Sequence, residues 1–249
     1  MWLIKELFAA EIISATDRER LNKETQYDKN MKEYKKYIAE FFGTFGLVFI
    51  GAGAVLMNSL TGGALGLLGI AFAHGLVLMA MIYSLANISG AHFNPAVTIA
   101  MFVNKRINAK ESIFYIVSQL VGSIVAAFFL KVLFPSANAA ALYGFPTTIA
   151  PEFGIAVEAI LTFFLVFVIY GVAINKKAQA GATFGLIIGS VLVFDILLGG
   201  TQTGAAMNPA RAFGPALVTG FVGIQAIYWI GPVVGAIIAS LISEQLHKD

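Results

Sequence analysis

The chain has 249 residues, of which 58% are hydrophobic and only 12% charged, and its mean hydropathy is +0.82. Soluble domains carry about 25% charged residues, so this composition excludes a large water-exposed surface and predicts an integral membrane protein. With no cysteine, a net charge of +2 and no basic cluster interleaved with aromatics, the sequence excludes a disulfide framework and indicates no nucleic-acid partner.

Residues 1–36 are a polar leader that holds eight of the 16 lysines and arginines. Lys5, Glu6 and Glu11 interrupt its apolar start, which argues against a cleaved signal peptide. We interpret the leader as a cytoplasmic N-terminal extension that is partly helical and lies on the membrane surface, with a mis-assigned start as the alternative. Residues 37–245 are the predicted membrane domain.

Six apolar stretches follow the leader, at roughly 38–56, 65–86, 113–133, 155–174, 182–198 and 221–242. Each is close to the ~20 residues that a helix needs to cross the hydrocarbon core. Two further apolar pieces, after Pro95 and after Pro209, are too short to span. The sequence therefore predicts an all-α membrane protein with six transmembrane helices and two re-entrant half-helices.

Lysine and arginine are distributed unevenly between the two sides of this arrangement. With the N-terminus inside, 14 of the 16 lie on the cytoplasmic side, and the exceptions are Lys131, near the end of a span, and Arg211. Such an excess of positive charge is typical of cytoplasmic loops. We therefore predict that both termini are cytoplasmic. As a separate expectation, the protein lies in the plasma membrane.

The two halves of the membrane domain, about 37–134 and 153–245, resemble each other. Glu40 and Thr44 recur 118 residues later as Glu158 and Thr162, and Asn-Pro-Ala recurs 114 residues later. Because each half has an odd number of spans, the repeat must be inverted. Inverted repeats place a transport site near the membrane midplane, where the two halves meet.

Each short apolar piece begins with the same tripeptide, Asn94-Pro95-Ala96 in the first half and Asn208-Pro209-Ala210 in the second. Proline suits the first turn of a helix, and the asparagine side chain before it can cap the helix start. Inverted half-helices then meet N-terminus to N-terminus. Their partial positive charges oppose a cation and leave the asparagine amides to a neutral, dipolar molecule.

The irregular segments before these tripeptides would lie at membrane depth, where such backbone is tolerated only if it lines a cavity or is buried in protein. They are therefore predicted to present carbonyl groups to a lumen. The predicted pore carbonyls belong to Gly90, Ala91, His92, Gly204 and Ala206. One Asn-Pro alone would indicate only a turn, but two copies at matching places of an inverted repeat indicate a pore.

Residues 89–98 and 208–211 resemble the two signatures of the major intrinsic proteins, the aquaporin and aquaglyceroporin family, and the resemblance covers about 36–245. It implies a right-handed bundle of six tilted helices, one pore per subunit and a homotetramer. It also implies a second constriction, a selectivity filter of four residues, which falls on His74, Ile196, Ala205 and Arg211.

Arg211 also has a physical interpretation of its own, because a charge within the membrane is costly and marks a functional site by default. At a narrow neck it would repel protons and metal cations while donating hydrogen bonds to water; the alternative is a snorkelling surface residue. His74 is either part of the filter or a packing residue. The combination of His74, Ile196 and Ala205 resembles plant vacuolar aquaporins more than water-specific bacterial ones.

The resemblance favours water as the solute. Glycerol facilitators tend to carry Asp directly after the arginine and Lys a few residues later, where this chain has Ala212 and Ala216. They also tend to have Pro-Leu in the sixth span, where this chain has Tyr228-Trp229. We expect a passive water channel that also admits ammonia or small uncharged solutes, with a glycerol- or urea-conducting aquaglyceroporin as the alternative.

Four titratable residues in the membrane domain have open roles. Glu40 and Glu158 are predicted to brace the re-entrant loops by accepting hydrogen bonds from loop amides, with a proton relay as the alternative. His92 either braces its loop or senses pH. Asp195, next to Ile196, faces either the outer mouth or a helix interface.

Two other functional classes stay open. An ion-coupled transporter also uses inverted repeats and broken helices, and Asp195 with His74 is the candidate titratable pair. The other class is a structural membrane protein with a closed pore. We predict no enzyme, cofactor or metal site, because the sequence has no nucleophile–base pair, metal-ligand spacing or phosphate-binding loop.

Overall fold

The computed structural model describes residues 15–146, 149–175, 177–178 and 180–248. The first 14 residues of the predicted leader and Lys176 lie outside this range. Contacts divide the chain into two units, residues 1–36 and 37–249. The described residues form helices and connecting turns without a strand, so the predicted all-α class is confirmed.

The helices are numbered in chain order as α1 (Ala15–Leu60), α2 (Gly66–Ser89), α3 (Pro95–Val103), α4 (Ala109–Leu133), α5 (Ala139–Tyr143), α6 (Pro151–Ile169), α7 (Phe184–Gly199), α8 (Pro209–Thr219) and α9 (Gln225–Leu246). A π-helical turn, Tyr170–Ile174, continues α6, and a 3₁₀ turn, Gly181–Thr183, precedes α7.

Six helical segments of the described chain are long and apolar enough to cross a membrane, as predicted. They are Met31–Leu60, Gly66–Ser89, Ala109–Leu133, Pro151–Ile174, Gly181–Gly199 and Gln225–Leu246. The largest difference from the predicted spans lies at the first, where α1 extends back to Ala15. Residues 15–36 are polar but rich in Glu, Lys and Arg and free of Gly and Pro, so nothing in them ends the helix.

The half-helices α3 and α8 are short because each has a clear start and stop. Each begins at a proline preceded by a capping asparagine. Gly220, the residue that caps the end of α8, adopts the left-handed conformation (φ 83°) that commonly terminates helices. Asn104 caps the end of α3, and the next residue, Lys105, is also left-handed (φ 57°).

Small residues allow the spanning helices to cross closely, in a pattern that follows the repeat. A side chain at Gly122 in α4 would overlap the backbone of Phe41, and one at Gly235 in α9 would overlap the backbone of Ala159. Gly122 and Gly235 are repeat mates, as are Phe41 and Ala159. Close backbone approach at small residues is a common means of helix association in membranes.

Candidate functional site

The two asparagines cap the two half-helices in the same way. The Asn94 side-chain oxygen accepts a hydrogen bond from the Ala96 amide at 2.9 Å. The Asn208 side-chain oxygen accepts from the Ala210 and Arg211 amides at 2.9 and 3.2 Å. These bonds satisfy amides that a helix start leaves without partners. They also turn each side-chain NH₂ group away from its own helix.

The NH₂ group of each asparagine donates a hydrogen bond to the opposite half of the repeat. Asn94 Nδ2 donates to the carbonyl of Met207 at 2.8 Å, and Asn208 Nδ2 donates to the carbonyl of Phe93, also at 2.8 Å. These crossed bonds bring the N-termini of α3 and α8 together, and the two half-helices are also in contact. An amide NH₂ has two hydrogens, and each crossed bond uses one. The second N–H of each asparagine is left for the space between the half-helices.

The chain in front of each asparagine is held in an unusual conformation. Gly90 and Gly204 both have φ 86°, and non-glycine residues with positive φ follow them at equivalent places: Ala91 and Phe93 in the first half, Ala205 and Met207 in the second. A left-handed non-glycine residue costs on the order of 1–3 kcal/mol, so the surrounding structure must hold it there. Two buried carboxylates supply part of that support.

Glu40, in α1, braces the first loop. One carboxylate oxygen accepts hydrogen bonds from the Ser89 hydroxyl (2.6 Å) and the His92 amide (3.0 Å). The other accepts from the Phe93 amide and the Gln119 side chain, both at 2.7 Å. The side chain of Glu40 is fully buried, and four donors compensate for its lost hydration.

Glu158, in α6, does the same for the second loop with one donor fewer. It accepts from the Thr203 hydroxyl (2.6 Å), the Ala206 amide (2.9 Å) and the Met207 amide (2.7 Å). The position that corresponds to Gln119 is occupied by Pro232, which has no side-chain donor. Both carboxylates therefore accept hydrogen bonds from loop amides, and neither is among the residues that line the central cavity.

A cavity of about 130 Å³, called here the central cavity, runs past both loops. It is lined by both asparagines and by four of the five predicted carbonyl residues: Gly90, Ala91, His92 and Ala206. Gly204 is not among its lining residues; Phe145 packs against it instead. The remaining wall is mostly aliphatic, so the lumen is an apolar tube with a few polar groups.

The four predicted filter residues also line the central cavity, although they come from separate parts of the chain. They are His74 in α2, Ile196 in α7, Ala205 in the second loop and Arg211 in α8. His74 Nδ1 bonds the carbonyl of Ile70 at 2.9 Å. Because a carbonyl only accepts, Nδ1 carries a hydrogen in this bond, and Nε2 is the acceptor of the neutral ring.

Arg211 is only 3% exposed, and no carboxylate bonds it among the described residues. Its Nη1 has no hydrogen-bond partner there. The guanidinium carbon lies 4.2 Å from the centre of the Phe145 ring, in the long loop between α4 and α6. The hydroxyl of Tyr143, in the same loop, is neutral like that of an ordinary tyrosine and offers Arg211 no anionic partner, and burial raises its pKa further, to about 12.

Comparison with known proteins agrees with this arrangement. The sequence model of the family described as "Major intrinsic protein" matches residues 28–243. The chain belongs to the major intrinsic protein family. It is 40% identical to Aquaporin NIP1-1 of Zea mays over 203 residues, which cover 82% of this chain and 71% of that protein. It is also 40% identical to Probable aquaporin TIP3-2 of Arabidopsis thaliana over 222 residues, or 84% and 82% of the two chains.

Among solved structures, the X-ray structure of the aquaglyceroporin from Plasmodium falciparum has the same fold. The TM-score is 0.72, with 24% sequence identity over 86% of this chain and 96% of that one. Major intrinsic proteins are membrane channels and not enzymes, and the present chain is therefore an integral membrane channel.

The sequence predicted the capping asparagines but missed several residues that support the two re-entrant loops of this major intrinsic protein. Tyr115 donates its hydroxyl to the carbonyl of Ser89 at 2.7 Å, and Tyr228 donates to the carbonyl of Thr203 at 2.8 Å. These residues could have been found from the repeat, since Ser89 and Thr203 lie 114 residues apart and the two tyrosines 113. No comparable repeat relationship in the sequence points to Phe145.

His92 and Asp195, whose roles the sequence left open, differ in their contacts. His92 donates its backbone amide to Glu40, and its Nδ1 lies 3.0 Å from the Thr98 hydroxyl, so both its backbone and its side chain hold the loop. Asp195 is 2% exposed, does not line the central cavity, and leaves one carboxyl oxygen without a partner among the described residues. No group of three His, Asp or Glu side chains in that part of the chain could hold a metal ion.

Proposed function

We propose that this channel conducts water passively and excludes protons and ions, and that it also admits ammonia or other small uncharged solutes. The observation that carries the proposal is the facing pair of half-helices, each capped by an asparagine that keeps one N–H for the lumen. Each helix start carries roughly half a positive charge. A cation would meet both of them in an apolar tube, whereas water can accept hydrogen bonds from the two amides.

The filter adds a second barrier under this proposal. Arg211 places a full positive charge on the wall of the central cavity, with Nη1 unpaired among the described residues. Such a group repels cations and donates hydrogen bonds to water oxygens. His74 offers the complementary function, because the free Nε2 of the neutral ring accepts a hydrogen bond from a passing solute.

Water is proposed as the main solute because the filter lacks features that suit a polyol. Ile196 and Ala205 provide no aromatic surface for a carbon backbone, and Ala212 and Ala216 stand where glycerol facilitators tend to have Asp and Lys. The relatives named above carry the name aquaporin. Glycerol or urea conduction is the second candidate, because isoleucine and alanine leave more room at the neck than larger side chains would.

An ion-coupled transporter is less well supported. It would need a titratable pair in the lumen, and the pair that the sequence offered was Asp195 with His74. His74 lines the central cavity, whereas Asp195 is not among its lining residues. A carboxyl group outside the lumen cannot exchange protons directly with a solute inside it.

We further propose that both termini are cytoplasmic, that the channel lies in the plasma membrane and that four copies assemble as a homotetramer. The orientation is supported by the 14 of 16 lysines and arginines on the side of the N-terminus. The oligomeric state rests on the family resemblance. Native mass spectrometry of the detergent-purified channel should give four times the 26.5 kDa chain mass.

Stopped-flow light scattering on proteoliposomes tests the solute assignment. After an osmotic step, vesicles with the channel should shrink at least about tenfold faster than empty vesicles, as expected when water no longer has to dissolve in hydrocarbon. Inward gradients of glycerol, urea and ammonia on the same vesicles then rank the solutes. Glycerol entry that keeps pace with water would favour the aquaglyceroporin alternative, and shrinkage no faster than that of empty vesicles would refute the channel.

A further inference from the structure

The wall of the central cavity includes part of the π-helical turn that continues α6. Ala173 and Ile174, the last two residues of the turn, line the cavity, and so does Met101, near the end of α3. Because the helices that contribute these side chains end here, this end of the cavity is a mouth, called here the α6 mouth. The conformation of the turn therefore determines which side chains a solute meets there.

The turn has one residue more than a turn of α-helix. The amide of Asn175 donates to the carbonyl of Tyr170, five residues back, at 2.9 Å, whereas an α turn is closed four residues back. Since each residue of an α-helix advances about 100° around the axis, the extra residue rotates the end of the turn by up to about that angle. Such turns are rare, and tertiary contacts must favour this one over a continued α-helix.

The hydroxyl of Tyr170, the first residue of the turn, is bonded to the end of α3. It accepts a hydrogen bond from Asn104 Nδ2 at 2.8 Å and donates one to the carbonyl of Ala100 at 3.4 Å. Tyr170 is buried, so a turn that moved away would leave polar groups without water to replace these bonds. Ala100 lies in the half-helix that Asn94 caps, and Asn104 caps its other end. The turn is thereby tied to α3.

An ion pair covers the ring of the same tyrosine. The guanidinium carbon of Arg106 lies 5.7 Å from the centre of the Tyr170 ring, and Glu244, in α9, binds this guanidinium at 2.6 Å. Both side chains of the pair are partly exposed, and exposed ion pairs contribute little to stability. The buried hydrogen bonds of the Tyr170 hydroxyl are therefore the main restraint on the turn, and the ion pair adds to it.

We propose that Tyr170 is a positioning residue of the α6 mouth. Its hydroxyl holds the π-helical turn against the end of α3 and thereby directs Ile174 into the lumen. Tyr170 is not among the residues that line the central cavity, so it acts on the solute through the turn. The first half-helix then has two roles, because it presents the Asn94 amide at one end and anchors the wall of the mouth at the other. For its effect on flux, this inference rests on the proposed water-channel function.

The test uses the absence of cysteine from the chain, because a single introduced thiol is then the only one that a methanethiosulfonate reagent can modify. Ile174→Cys should be modified readily in detergent, as followed by intact mass, and the reagent should block water flux in proteoliposomes. Tyr170→Phe keeps the ring and removes the hydroxyl. When it is added, we expect modification to slow about tenfold or more, because the thiol turns away from the lumen. Asn104→Ala should have the same effect.

Two controls separate a rotated turn from a damaged channel. Met101→Cys places the thiol on the α3 wall of the same mouth, and its modification should proceed equally fast with and without Tyr170→Phe. Tyr83→Phe is the matched hydroxyl deletion. The Tyr83 hydroxyl accepts a bond from the Leu186 amide in α7 at 3.0 Å, so its loss should leave the modification of Ile174→Cys unchanged.

Equal rates for Ile174→Cys with and without Tyr170→Phe would overturn the inference, as would slow modification of Ile174→Cys in the otherwise unchanged channel. A parallel slowing at Met101→Cys would also overturn it, because the whole mouth would then have rearranged. Failure of the proposed function looks different. Wild-type vesicles would then shrink no faster than empty ones, while the rates of modification in detergent could still be compared.

Discussion

Asn94 and Asn208 are linked crosswise, each donating one amide hydrogen to the carbonyl that precedes the other. The two halves of the repeat are therefore joined by a pair of hydrogen bonds at the point where the half-helices meet. Each bond fixes the orientation of one side-chain amide, so the remaining N–H has a defined direction. Any substitution that removes the amide NH₂ breaks this link, and a substitution to aspartate also introduces a negative charge there.

Asn208→Asp should weaken the exclusion of cations. The carboxylate still caps α8, but its full negative charge outweighs the roughly half positive charge of each helix end, so we expect sodium and proton leak to rise by about tenfold. The measurement is ion flux into proteoliposomes at a fixed membrane potential. Asn138→Asp is the control, because Asn138 is an exposed N-cap of α5 where aspartate serves equally well. A leak equal to wild type would argue against electrostatic exclusion at the half-helix ends.

Glu158→Gln should destabilise the channel. Both carboxylate oxygens of Glu158 accept loop amides, and an amide NH₂ in place of one oxygen would leave a buried N–H unpaired, at about 1–3 kcal/mol. Glu40→Gln should act in the same direction through the first loop. The shift in unfolding temperature is measured in detergent with tryptophan fluorescence as the signal. The control is Glu152→Gln at the exposed start of α6, which should not shift the unfolding temperature. If stability is unchanged while flux becomes independent of a proton gradient, the proton-relay alternative is favoured.

His74→Phe should narrow the neck. The phenyl ring is larger than imidazole and cannot accept a hydrogen bond, and the existing ring already lies against Gly51 with no room to retreat. We expect glycerol permeability to fall by roughly fivefold or more and water permeability by about twofold or less. Ammonia entry should follow glycerol. Equal losses for all three solutes would indicate that His74 packs the span and does not form the neck.

Asp195→Asn should leave the channel as stable as wild type or more stable. The wild-type carboxyl is buried with one oxygen unpaired among the described residues. The near-isosteric amide cannot ionise, so the variant avoids both the cost of burying a carboxylate and the cost of protonating it. Water permeability should not change, since Asp195 does not line the central cavity. Loss of flux at full stability would show instead that this acid takes part in transport.

Much of the fold could be predicted from the sequence. Each membrane span is a long apolar stretch, and the inverted repeat relates the spans of one half to those of the other. The half-helix starts were predictable because proline and a capping asparagine determine them locally. The π-helical turn at Tyr170–Ile174 was not predictable, because it accompanies a tertiary contact in which Asn104 donates to the Tyr170 hydroxyl at 2.8 Å. Phe145 was missed because its loop has neither periodicity nor a repeat mate, and only the packed structure brings it onto Arg211.

A channel that passes water but excludes protons is tested most directly when both permeabilities are measured in one preparation. Proteoliposomes that contain a pH-sensitive dye are subjected first to an osmotic step and then to a pH step at clamped potential. The proposed function predicts water permeability at least about tenfold above empty vesicles, with a proton conductance equal to theirs. Water permeability at the level of empty vesicles, or proton conductance that rises with the amount of channel, would contradict it.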